Sequence, residues 1–113
     1  MKSAVVEETG QPRDHVAAWI SIHQDAIGSA PIKFERREKP ARTLVVWFET
    51  PKYLIDISAW DHACCLDILV LNKETGGTDY IVCGECDGTA GLTQRLGAFL
   101  YWLNANEPRS RVE

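Results

Sequence analysis

Between Leu44 and Glu85 apolar and polar residues alternate with a period of two, interrupted by three short turn-like stretches. Such alternation predicts four antiparallel strands in a meander, each with one apolar face. A two-residue turn at Thr50-Pro51 sets Phe48 against Tyr53, Val46 against Ile55 and Leu44 against Ile57. A turn at Asp61-His62, residue types that tolerate positive φ, sets Ala59 against Cys64, Ile57 against Leu66 and Ile55 against Ile68. Slipping by one residue would aim Asp67 into the core, so the pattern itself selects the pairing. A three-residue loop within Lys73-Glu74-Thr75-Gly76-Gly77, with Gly76 left-handed, pairs Val70 with Tyr80 and Ile68 with Val82. One face then carries Leu44, Val46, Phe48, Tyr53, Ile55, Ile57, Leu66, Ile68, Val70, Tyr80 and Val82. That face is the core.

The flanks change period. Val16, Trp19, Ile20, His23 and Ile27 recur at helical spacing behind Pro12 and Asp14, the latter as N-cap. Gly28 and Pro31 mark that helix's end. Ile32 to Arg37 alternates as a short edge strand whose charges, with Pro40, discourage further pairing. After Asp87-Gly88-Thr89, where Asp87 or Thr89 caps, Leu92, Leu96, Phe99, Leu100 and Leu103 describe a second helix. Gly91 and Gly97 each cost that helix about 1 kcal/mol against alanine, and Gly97 suits a close approach to the sheet. Asn104, Asn106 and Pro108 end it. The expectation is one α+β domain over residues 1–113, with tails at 1–12 and 107–113. A meander of four to five strands is flanked by an N-terminal and a C-terminal helix, an α-β5-α order. Two helices on one side of the sheet is the simpler arrangement; a helix crossing to the other side would cover that face instead.

Composition narrows the function classes. The chain has 12 Lys+Arg against 16 Asp+Glu, a formal charge of −4, the wrong sign for a generic nucleic-acid binder. Arg36, Arg37, Lys39 and Arg42 are interspersed with Glu35 and Glu38, which reads as a solvated edge rather than a phosphate site. The first residues carry no apolar signal segment, and no apolar run approaches the roughly 18 residues of a membrane helix. The expected setting is cytoplasmic, with the 4 cysteines reduced.

Cys83-Gly84-Glu85-Cys86 is the most conspicuous string, but a structural zinc site needs four ligands. The remaining cysteines, Cys64 and Cys65, are adjacent and point to opposite sides of a strand. A thioredoxin-like reading lacks its βαβ setting, and packing explains cysteines more simply. His15 lies near the first cap, His23 falls on the buried helix face, and His62 sits in a tight turn without the pocket that a Cys–His nucleophile pair needs. No cofactor and no catalytic residue are expected.

The outward face carries the stronger signal. The derived register places Trp47, Leu54, Leu69 and Ile81 side by side across four strands, with Asp56 directly opposite Asp67. Contiguous outward apolar residues mark an interface, and tryptophan is typical of binding hot spots. Opposed carboxylates are destabilising on a sheet, so they either have a basic neighbour, such as Arg42, or await a basic partner. A bare sheet face can also pair two copies of the chain.

The tract Ile57-Ser58-Ala59-Trp60, then Cys65-Leu66-Asp67-Ile68-Leu69-Val70-Leu71-Asn72, then Glu74-Thr75-Gly76, resembles the TriTu immunity protein family of bacterial polymorphic-toxin systems. So does its frame: a leading helix with a tryptophan, a charged strand, and a closing helix ending Leu100-Tyr101-Trp102-Leu103. The resemblance spans roughly residues 14 to 105; the turn Asp61-His62-Ala63 departs from it where a glycine is expected. It implies a small non-enzymatic cytoplasmic protein that occludes a cognate toxin domain, often a basic nuclease. The interface expected here is Trp47, Leu54, Asp56, Asp67, Leu69 and Ile81. The alternative is a small metal-binding or cysteine-dependent module built on Cys83, Cys86, Cys65 and His62.

Overall fold

The computed structural model describes residues 12–27, 31–39, 41–61 and 64–106. In chain order these form α1 (Pro12–Ile22), α2 (Gln24–Ile27), β1 (Lys33–Arg37), β2 (Thr43–Glu49), β3 (Tyr53–Trp60), β4 (Leu66–Asn72), β5 (Thr78–Val82) and α3 (Gly88–Asn106). The strands make one antiparallel sheet in sequence order, so the α+β meander between two helical ends stands. Gly28 and His62, and all but Pro12 of the expected tails, lie outside the described residues.

Both helical ends cover one face. Val16, Ile20, Ile27, Leu92, Leu96, Phe99 and Leu103 join Leu44, Val46, Ile55, Ile57, Ile68 and Val70 in a single buried cluster. Aromatic contacts close one end of it: Trp102 stacks obliquely on Tyr53 and Tyr80, with ring centroids 5.2 and 4.8 Å apart. The face assignment read from the alternation is correct, while two of the three registers are shifted by two residues from those expected. Phe48 faces Ile55, Val46 faces Ile57, and Leu44 faces Ala59. Ile57 faces Ile68, and Ile55 faces Val70.

The loops explain both shifts. Thr50 closes the first hairpin around Pro51 and Lys52: its Oγ1 accepts from Tyr53 N at 3.0 Å, and its own N–H donates to Tyr53 O. In the second hairpin Trp60 N donates to Cys65 O, so the loop runs from 61 to 64 and the positive φ falls on Cys64, at 47°. The third loop matches its expectation in Gly76, at φ 75°. There Asn72 Oδ1 accepts from Glu74 N and Thr75 N, and a register break beyond Val70 restores the Val70–Tyr80 pairing.

The helices differ in detail. Asp14 is not the N-cap: α1 begins at Pro12, and Asp14 lies exposed in its first turn, bonded to Arg36 at 2.9 Å. The capping bond comes from another hairpin, with Asp61 Oδ1 accepting Arg13 N at 3.0 Å. The first helix breaks at His23, where the ring stacks on Trp19 and Nδ1 donates to Trp19 O at 2.8 Å. Gly97 does not approach the sheet; the tight position is Gly91, where a Cβ would come within 3.1 Å of Cys86 Cβ. An added Cβ at exposed Gly97 meets nothing within 4 Å. Gly97→Ala should therefore raise stability by about 1 kcal/mol, read as a higher urea midpoint with unchanged slope.

Candidate functional site

Strand parity sends Lys33, Glu35 and Arg37 of β1, Val45 and Trp47 of β2, Leu54, Asp56 and Ser58 of β3, Asp67, Leu69 and Leu71 of β4, and Ile81 of β5 away from the helices. No described element covers this side. Its central row runs Lys33, Trp47, Asp56, Leu69, Ile81, each opposite the next across neighbouring strands. The next row runs Glu49, Leu54, Leu71, Thr78. Ile81 is 60% exposed and Leu54 43%, while Trp47, Asp56, Leu69 and Leu71 are half-buried. Between the rows lies an open depression of about 560 Å³, lined chiefly by Lys33, Trp47, Leu54, Asp56, Leu69 and Leu71.

Five of the six residues expected at an interface are thus brought together, although Leu54 sits one row from Trp47 rather than beside it. The Asp56–Asp67 pairing is a correction. Because the β3–β4 loop takes four residues, Asp56 faces Leu69 and Asp67 faces Ser58. Asp67 has its own work, accepting the Gly84 N–H at 3.0 Å and tying down the chain beyond β5. No opposed like charges remain to be explained. Lys33 and Leu71 are additions to the expected set, and strand parity from Arg37 and Leu69 was the signal that could have found them.

The charged edge is ion-paired. Arg37 Nε meets Glu35 at 2.6 Å, Arg36 meets Asp14, and Arg42 lies 3.4 Å from both Glu38 and Asp61. The Arg37 guanidinium holds the Glu35 carboxyl below its ordinary value. Arg13, its side chain only 6% exposed, contacts Asp61 and Glu38 and donates to the carbonyls of Arg37 and Thr43.

Cys64, Cys65 and Cys86 lie together near one end of the sheet, while Cys83 is exposed. Cys86 N donates to Cys64 O, Cys65 bridges Glu85, and Cys64 and Cys86 pack on the core. Burial pushes the Cys65 and Cys86 thiols up, which depletes the thiolate that metal binding or nucleophilic attack requires. The C-x-x-C string does not open a helix, since α3 starts at Gly88. Among the described residues no three His, Cys, Asp or Glu side chains are placed to hold a metal ion.

The fold and the open face together define an α+β protein of two layers, helices on one side of the sheet and a partly apolar surface on the other. No known family model matches the chain, and no curated protein matches it. No described helix is long and apolar enough to cross a membrane.

Proposed function

We propose that this chain is a cytoplasmic binding protein that docks a partner protein on its open sheet face and has no catalytic activity of its own. The observation that carries this reading is the row Trp47, Leu69, Ile81, with Leu54 and Leu71 beside it, which no described element covers. A contiguous apolar surface of this kind marks an interface. The resemblance to TriTu immunity proteins gives the partner: a cognate toxin domain whose functional surface the sheet occludes. A formal charge of −4 suits a basic toxin, since complementary fields speed encounter.

The resemblance implies a toxin gene immediately upstream, and the test is co-expression with the domain which that gene encodes. The wild-type chain should co-purify with it and restore growth. Trp47→Ala should keep its circular dichroism spectrum and lose about 2 kcal/mol or more of binding, near thirtyfold in Kd. A wild-type chain that neither binds nor protects removes the immunity reading.

A further inference from the structure

We infer that the depression on the open face is an arginine receptor, its partner presenting one guanidinium that lies against Trp47 and ends on Asp56. The class of partner rests on the binding reading above; the chemistry of the pocket comes from its own residues.

Asp56 stands in the middle of an apolar row, with Trp47 opposite it on one side and Leu69 on the other. The other strand carboxylates on this face are engaged: Glu35 with Arg37, Glu49 with Lys73 at 2.6 Å, and Asp67 with Gly84 N. Among the described residues Asp56 has one hydrogen-bond donor, the Ser58 hydroxyl at 3.4 Å, and no ion pair. Arg37 is near enough for its charge to be felt at Asp56 but is committed to Glu35, and Lys33 lines the rim beyond Trp47.

A partner that covers Trp47 and Leu69 must also take water from Asp56. A carboxylate desolvated without a donor costs several kcal/mol, so an apolar partner surface alone is a poor fit. The partner has to bring a cation. Trp47 and Asp56 are direct cross-strand neighbours, with Cβ atoms about 5 Å apart in such pairs. Guanidinium suits that spacing better than ammonium: its plane stacks on indole while its fork bonds a carboxylate in two places. A second copy of this chain is a weaker occupant, because face-to-face pairing adds another Asp56 and a mostly apolar surface to the same pocket.

Acetyl-arginine methylamide and its neutral citrulline counterpart, titrated separately to about 100 mM, test this without any toxin. The arginine compound should shift the Trp47 indole N–H resonance saturably, and citrulline should bind at least tenfold more weakly. Asp56→Asn should abolish the difference between the two probes while leaving the melting temperature unchanged. No saturable shift with arginine, or equal shifts with citrulline, overturns the inference, as does an unaltered preference in Asp56→Asn. So does sedimentation showing a dimer that Trp47→Ala dissociates, which would make a second copy the occupant. Co-purification with the toxin is a separate result: a chain that prefers arginine but ignores that toxin keeps the receptor and loses the immunity assignment.

Discussion

Asp61→Ala should destabilise the chain by about 3 to 5 kcal/mol, the largest effect expected of any residue outside the apolar core. Asp61 is 10% exposed at its side chain and faces Arg13, which is 6% exposed, at 3.3 Å. The two facing atoms, Arg13 Nε and Asp61 Oδ2, are buried and not aligned for a hydrogen bond, so charge attraction holds them. Removing the carboxylate leaves the guanidinium buried against two carbonyls and the exposed Glu38, and it deletes the acceptor for Arg13 N. Deleting both partners is gentler. Arg13→Met/Asp61→Ala should lie well above Asp61→Ala in a urea melt, because no orphaned charge remains. An Asp61→Ala midpoint within about 1 kcal/mol of wild type would mean that this cluster is peripheral to stability.

Ile57→Ala should cost about 2 to 5 kcal/mol, and its neighbour Asp56→Ala less than about 0.5 kcal/mol. Ile57 is fully buried at the middle of the central strand, between Val46 and Ile68. Alanine there leaves a cavity in the buried cluster, and with a total stability of about 5 to 15 kcal/mol the loss is a large share. Asp56 points the other way into the open depression. The contrast between consecutive residues checks which side of the sheet is core. Thermal melts should separate the two variants by roughly 10 °C; equal melting temperatures would contradict the face assignment.

Strand parity explains how much could be read in advance. A period of two identifies faces, and Leu44, Val46 and Phe48 share the buried side in every register that differs by an even number. The shifts between expected and observed pairings are even. They leave the core assignment intact and move only cross-strand partners, which is why Asp56 and Asp67 separated while Trp47, Leu69 and Ile81 stayed on one surface. The position of the first turn and the length of the second decided those pairings. Nothing near Asp61 in sequence announces that Arg13, 48 positions away, will claim its carboxylate. The same long-range bond displaced Asp14 from the capping role that local sequence suggested. Side preference for the helices was equally hidden, because α1 and α3 are each amphipathic and their apolar stripes say nothing about which face of the sheet they meet.

Placing both helices behind the sheet also fixes the direction of approach. Pro12 and Asn106, the first and last described residues, belong to α1 and α3, so both lie in the layer behind a plate whose front is the open surface. A partner seated on the front would therefore leave the packing of both helices on the sheet untouched.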